Sequence, residues 1–313
     1  MKDLTYRQAA LLAWFSANAR DLPWRHTRDP YRILVSEVML QQTQVERVIP
    51  KYHAFLAAFP SLDDLAAAPT SEVIRLWAGL GYNRRAVNLQ RCAQAVRDDY
   101  HGQFPRTVVA LLSLPGIGPY TAGALACFAF EQDVAFMDTN IRRVLRRALV
   151  GPEDLTPLPS DRELLVLGAT LVPPGQGWAW NQALMELGAL ICTANAPACR
   201  RCPIQAACHS YTQRSALDHA TLQAMAAERA LVAPARRVAE RHQEPYKGSR
   251  RWLRGRIVDA LREHPSLPLG RLGSLIKPDY SEDDAPWLSD LVAGLARDGL
   301  LILADDEVRL PGA

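Results

Sequence analysis

The stretch "CTANAPACRRCPIQAAC" constrains this chain more than any other. It places Cys192, Cys199, Cys202 and Cys208 with gaps of six, two and five residues. Thiolates packed this closely repel one another and need a multivalent cation, so the candidates are zinc and an iron–sulfur cluster. Structural zinc usually takes two Cys-x-x-Cys knuckles separated by a longer span. Only one such pair occurs here, inside a tight loop, and the spacing favours the cluster. Unligated buried thiols are the third alternative. Cys92 and Cys127 stand alone in helical patterns and read as core residues.

A chain of 313 residues has room for about two domains. With 49% hydrophobic and 22% charged residues it is expected to pack a core rather than to be disordered. The formal charge of +3 is too small to mark a nucleic-acid binder by itself, so any basic surface must be local. Arg7 and Gln8 interrupt the first apolar stretch, no small-residue cleavage site follows, and no secretory signal is read there. The longest apolar passage is broken by Glu131 and Asp133 before it could cross a bilayer. A cytoplasmic protein with no membrane partner is the expectation, and in a reducing compartment six cysteines do not read as disulfides.

Amphipathic helical patterns dominate, and convincing alternating strands are absent from the first 210 residues. In "DPYRILVSEVMLQQTQVERVI", Asp29 is a natural N-cap and Pro30 a natural first helical residue. Short helices follow at "SLDDLAAAP", "TSEVIRLWAGLG" and "RRAVNLQRCAQAVRDDYHG", separated by Gly and Pro. Residues 212–247 are polar and rich in Ala and Arg, and read as a linker. Residues 248–313 carry three helical patterns and two short strands, "LILA" and "EVRL", around the turn "ADDE", which suggests a winged-helix-like module.

Three further features bear on chemistry. In "LPGIGPYTAG", Gly116 and Gly118 would let the backbone turn without a Cβ in the way and aim N–H groups at one phosphate just where a helix begins, a cradle indifferent to base sequence. A plain helix–turn–helix corner fits the same stretch. Glu37 sits among Ile33, Leu34, Val38, Met39 and Leu40. In a dry pocket such a carboxyl would hold its proton at neutral pH, as a general acid must. On a solvated face, beside Ser36, Gln41 and Gln44, it would be unremarkable as chemistry. Asp138 precedes a helix start and could be only a cap, while Arg142, Arg143, Arg146 and Arg147 suit phosphates or solvent equally.

Taken in order, "LPWR", "SEVMLQQTQV", "LWAGLGYNRRAVNL", "LPGIGPYTAG", "DTNIRRVLRR", "NQALMELGALICT" and the four-cysteine loop resemble the helix–hairpin–helix DNA glycosylase superfamily, specifically its MutY-type adenine DNA glycosylases. The resemblance covers roughly residues 15–210. It implies a mainly α fold: a six-helix barrel carrying the hairpin, and a 4Fe-4S helical domain assembled from the N-terminal end and the region after Asp138. Residues 1–211 would then be the glycosylase. The implied partner is double-stranded DNA carrying an adenine mispaired with 8-oxoguanine or guanine, bound by a monomer in the cytoplasm of a bacterium at the nucleoid.

Carried over by position, Glu37 matches the acid that protonates adenine, and Asp138 the carboxylate that faces the sugar. Tyr120 and Asn140 match polar groups of the same pocket, and Arg20, Trp24, Arg25 and Gln182 its adenine-contacting wall. Gln41, Gln42 and Tyr82 match groups that enter the base stack, Thr43 a residue that binds DNA, and Leu114, Gly116 and Gly118 the hairpin's contact with DNA. Relatives of the endonuclease III type carry a lysine where Tyr120 stands, and a phenol cannot form their Schiff base. Base removal without strand cleavage is therefore expected. The same scaffold also hosts thymine and uracil mismatch glycosylases, and a non-catalytic damage binder would need neither Glu37 nor Asp138. Residues 212–313 lack the alternating strands of the family's usual Nudix-like domain. "KGSRRWLRGR", with Trp252, suits a phosphate track, but Asp283, Asp284, Asp290 and Asp298 suit a groove reader poorly, which favours packing or positioning as the module's role.

Overall fold

The computed structural model describes residues 2–152, 157–217 and 246–312. Helices come first along the chain: α1 (Lys2–Asn18), α2 (Pro30–Leu40), α3 (Val45–Ala58), α4 (Leu62–Ala67), α5 (Thr70–Leu76), α6 (Arg84–Tyr100), α7 (Val108–Leu112), α8 (Pro119–Phe128), α9 (Thr139–Leu145), α10 (Asp161–Ala169), α11 (Gly177–Leu190) and α12 (His209–Ser215). After residue 246 come α13 (Arg250–Glu263), β1 (Leu267–Pro268), α14 (Leu269–Ile276), α15 (Ala285–Arg297), β2 (Ile302–Ala304) and β3 (Glu307–Arg309). Among the described residues no helix is long and apolar enough to cross a membrane. α12 extends to Ser215, into the stretch read as a linker, because Thr212 and Ala216 continue the helical hydrogen bonding from Cys208 onward. Residues 218–245 of that stretch lie outside the described residues.

The described residues form two units, each assembled from two stretches of chain: 1–28 with 119–241, and 29–118 with 242–313. In the second unit α2 starts where its sequence says it should, with Asp29 accepting from Tyr31 N at 2.9 Å and Pro30 in the first turn. Ser61 and Asp64 cap α4 reciprocally, each satisfying the other's backbone N–H. Trp77, Phe55, Leu65 and Ile74 are fully buried, and the Phe55 ring meets Trp77 edge-on at 5.9 Å. Each such side chain removed from water contributes about 1.5–3 kcal/mol.

The C-terminal elements pack into this same unit. β3 is the centre of a three-stranded antiparallel sheet ordered β1-β3-β2, with Val308 opposite both Leu267 and Leu303. β1 was not legible beforehand: its two residues are too few to show a period. Ile257, Leu261, Leu272, Leu291 and Val308 share one apolar core with Ile74 of α5 and Val87 of α6. Arg262 ties the seam, donating to Ile74 O at 3.1 Å and Asn83 Oδ1 at 2.9 Å, and Pro311 O accepts from Ser71 N at 2.8 Å.

The first unit is built on α11, which packs against α1 and α9. Gly188 makes the second contact possible, since a Cβ there would lie 2.6 Å from Asn140 Cβ. Gly123 does the same for α8, where a Cβ would lie 2.4 Å from Phe136 Cβ.

Candidate catalytic and nucleic-acid site

Residues 33–39 of α2 are buried without a break, and Glu37 is 3% exposed among them. The solvated-face alternative for Glu37 is thereby overturned. Ser36, one of its supposed polar neighbours, is itself fully buried and spends its hydroxyl on Ile33 O at 2.8 Å. Helical periodicity could not reveal this, because a helix covered on all sides has no polar stripe to read.

At the carbonyl end of α2 stands Arg85, a residue the sequence did not mark. Its NH1 donates to Val38 O, Met39 O and Gln41 O at 2.7, 3.0 and 2.7 Å. Its NH2 donates to Leu80 O at 3.0 Å, Gly81 O at 3.1 Å and Thr43 Oγ1 at 3.2 Å. Burial lowers its pKa to about 10, so the guanidinium stays charged at neutral pH. One cation thus satisfies orphan carbonyls at a helix C-terminus and in the following glycine turn. Thr43, expected at the DNA, is half-buried and takes part in this clamp through its hydroxyl.

The clamp holds two unusual backbones. Gln42 (φ 56°) and Tyr82 (φ 46°) are both left-handed without being glycine, which is uncommon enough to invite a functional explanation. Gln42 is exposed and Tyr82 is 46% exposed. The Arg85 guanidinium lies 5.7 Å from the Tyr82 ring centroid. Sequence reasoning had marked Gln41, Gln42 and Tyr82, and the structure brings Gln41 and Tyr82 to Arg85, with Gln42 the next residue in the chain after Gln41.

In the hairpin, the two glycines differ. Gly116 needs its missing Cβ twice over, with φ +77° and Asn88 Cβ 2.7 Å from where a Cβ would stand. Gly118 has no such backbone, and a Cβ on it would meet nothing within 4 Å. Of the two glycines expected in the turn, Gly116 alone takes a left-handed backbone. Leu114 is 4% exposed, so its side chain anchors the turn from below instead of reaching outward. Ile117 N donates to Leu114 O at 3.2 Å, which removes that N–H from any anion cradle.

In the other unit, Asp138 caps α9, accepting from Ile141 N at 2.7 Å through Oδ1. Its Oδ2 accepts from Asn140 Nδ2 at 2.9 Å, and Asn140 Oδ1 accepts in turn from Arg143 at 2.7 Å. Tyr120 is half-buried, edge-on to Phe136 at 5.5 Å. Arg20, Arg25 and Gln182 meet around Glu186, a fully buried carboxylate that sequence reasoning missed. Arg20 donates to Glu186 at 2.8 and 3.0 Å and Arg25 at 2.8 Å, while Arg25 Nε fixes Gln182 Oε1 at 2.9 Å. Burial would push the Glu186 pKa up, but the hydrogen bonds from Arg20 and Arg25 win and hold it at about 2. Trp24 is buried beside them in the chain, in a short 3-10 turn.

The basic run after Asp138 proves to serve neither phosphate nor solvent alone. Arg143 donates to Cys192 O at 2.6 Å and Gly188 O at 2.7 Å, and Arg147 to Thr193 O at 2.7 Å and Ala194 O at 2.9 Å. Arg146 is buried and reaches Pro157 O at 3.2 Å, while Arg142 pairs with Asp161 at 2.5 Å. Arg143 and Arg147 thus lash the cysteine loop to α9 and the turn that follows it. Cys192, Cys199, Cys202 and Cys208 line one cavity of about 630 Å³. Burial, with a smaller push from the other three cysteines and against a backbone hydrogen bond at Ile204, takes the Cys202 thiol up to about 12. Among the described residues no group of three or more His, Cys, Asp or Glu side chains stands ready to hold a metal ion. The donor set itself fits an iron–sulfur group: four thiols face one cavity, and the buried Ser210 Oγ on its wall has no hydrogen-bond partner among the described residues. Cys92 and Cys127 are core residues, as expected.

Residues 35–168 match the HhH-GPD superfamily of base excision DNA repair proteins. The adenine DNA glycosylase of Mycolicibacterium smegmatis is 41% identical over 281 residues, spanning 90% of this chain and 85% of that protein, so the likeness reaches into the C-terminal module. That of Mus musculus is 43% identical over 218 residues, 67% of this chain but only 42% of the longer mouse protein. Among solved structures, a thermostable thymine-DNA glycosylase superposes with a TM-score of 0.63 at 35% identity, covering 68% of this chain and 98% of its own.

Proposed function

Because the chain belongs to the HhH-GPD superfamily of base excision DNA repair proteins, we propose that it is a monofunctional DNA glycosylase that removes adenine mispaired with 8-oxoguanine or guanine. The observation that carries the reading is the burial of Glu37, a carboxyl inside the apolar body of α2. Desolvation favours the proton-holding form of a carboxyl, which is the form an acid catalyst needs.

The target base is stacked in the duplex, so it must be extruded at a cost of a few kcal/mol. Gln41, Gln42 and Tyr82 enter the stack to fill the space, on backbones that Arg85 keeps in place. Glu37 delivers a proton to the adenine ring and makes it a better leaving group. Asp138 faces the sugar and stabilises the positive charge that develops as the glycosidic bond breaks. Asn140 holds that carboxylate in orientation, and Tyr120 lines the pocket without an amine to attack C1′, so an abasic site is left uncut. Arg25 and Gln182, braced by Glu186, recognise adenine together with Arg20 and Trp24. The hairpin at Leu114–Gly118 meets the phosphate backbone through main-chain N–H groups. Cys192, Cys199, Cys202 and Cys208 would hold a 4Fe-4S cluster, which when bound supplies a rigid crosslink for the loop. Residues 1–211 do this work as a monomer at the nucleoid, with 248–313 as an attached module.

Duplexes with adenine, thymine or uracil opposite guanine or 8-oxoguanine, treated with alkali after reaction, test the proposal. Alkali-dependent cleavage at adenine is expected. The likeness to a thymine-DNA glycosylase supports a second reading, removal of thymine or uracil from mispairs with guanine. Those bases lack the imidazole ring that Glu37 would protonate, and cleavage confined to them would replace the adenine reading.

A further inference from the structure

α13 carries several arginines, and all but one are spoken for. Arg250 pairs with Asp290 at 2.6 Å, Arg254 pairs with Asp298, Arg256 donates to Leu275 O at 2.7 Å, and Arg262 serves the seam with α5. Asp290 and Asp298, two of the aspartates that make the module a poor groove reader, are therefore consumed within the protein, together with their arginines. Arg251 is different. Among the described residues it has no carboxylate in ion-pair reach, and it is exposed. Its guanidinium lies 5.6 Å from the Tyr82 ring centroid and 4.9 Å from that of Tyr246, and it donates to Tyr82 Oη at 2.9 Å. A guanidinium offers five donors, of which one is used here. Tyr246 is 58% exposed. These three side chains, with Arg47, Gln42 and Asn88, border a cleft of about 730 Å³.

We propose that Arg251 and Tyr246 of the C-terminal module form a DNA-backbone contact beside Tyr82, with Arg251 binding a phosphate and Tyr246 covering the guanidinium. The geometry favours a phosphate over a base: a guanidinium held close to two rings keeps further N–H donors for the fork that phosphate oxygens accept. The module thus goes beyond packing, and extends the reading surface without reading sequence itself. This inference rests on the glycosylase reading for its ligand.

The test is binding of the full chain, in a Glu37→Gln background, to a mispaired and an undamaged duplex by fluorescence anisotropy across a salt series. Arg251→Ala is expected to weaken both complexes about tenfold and to flatten the slope of log K against log salt by about 0.9, the loss of one phosphate contact. Arg251→Lys should restore the slope, and Tyr246→Ala should weaken binding without changing it. Unchanged affinity and slope in Arg251→Ala, at an unchanged melting temperature, would overturn the proposal. So would a loss confined to the mispaired duplex, which would make Arg251 a base reader. Base release by the parent protein, measured in parallel, separates the two failures: no release sinks the glycosylase reading, whereas release with an unaltered slope sinks only this one.

Discussion

Glu37 and Asp138 are two carboxyls in opposite settings. Glu37 lies in an unbroken buried run of α2, whereas Asp138 is half-exposed at a helix start, with each oxygen accepting a hydrogen bond from a neighbour. One carboxyl is enclosed within a helix body, and the other is held at a helix start by two donors. Opposed surroundings of this kind are how one protein assigns proton donor and charge stabiliser to chemically similar groups.

The contrast breaks first at Glu37. Glu37→Gln keeps the shape but removes the transferable proton, and single-turnover base release is expected to fall about 10³–10⁴-fold with duplex binding nearly unchanged. Release at the parent rate would take Glu37 out of the mechanism. Asp138→Asn is the sharper companion. Asparagine also caps helices, so the melting temperature should hold while release falls about 10²–10³-fold, the scale of one lost electrostatic stabiliser. A variant that lost stability instead would make Asp138 a cap and nothing more.

Next in size come the charges that brace each setting. Arg85→Ala leaves buried carbonyls without a donor and is expected to cost about 3 kcal/mol, read as a lower urea midpoint. Arg85→Lys should recover little, since an ammonium cannot span that fork of acceptors. Glu186 has a pKa of about 2, below the ordinary 4.5, so its contribution is complete above pH 4.5 and is lost as pH falls toward 2. The loss amounts to about 3 kcal/mol in that window, and Glu186→Gln should abolish this part of the acid dependence. Smallest is Gly188→Ala, which forces Asn140 away from α11 at about 1–3 kcal/mol. Its informative readout is release rate: a drop beyond the stability loss would show that Asn140 orients Asp138.

What the sequence disclosed follows from distance along the chain. Asp29 with Pro30, Ser61 with Asp64, and the cysteine gaps are local signals, legible within a few residues. Glu186 answers to Arg20, 166 residues away, and Arg85 to Val38, 47 residues away, and no window on the sequence sees such pairs. The arginines after Asp138 were visible as a basic run, but Arg143 and Arg147 find partners in main-chain carbonyls of the cysteine loop, which leave no side-chain signature. The hairpin was read as a unit, while the fold sets its members apart: the Leu114 side chain is buried, and of the two glycines Gly116 alone has a left-handed backbone.

Arg85 grips five main-chain oxygens drawn from two segments, one ending the helix that bears Glu37 and one leading to Tyr82. The end of that helix and the turn before the tyrosine are therefore fastened by one side chain, and its loss would loosen both together.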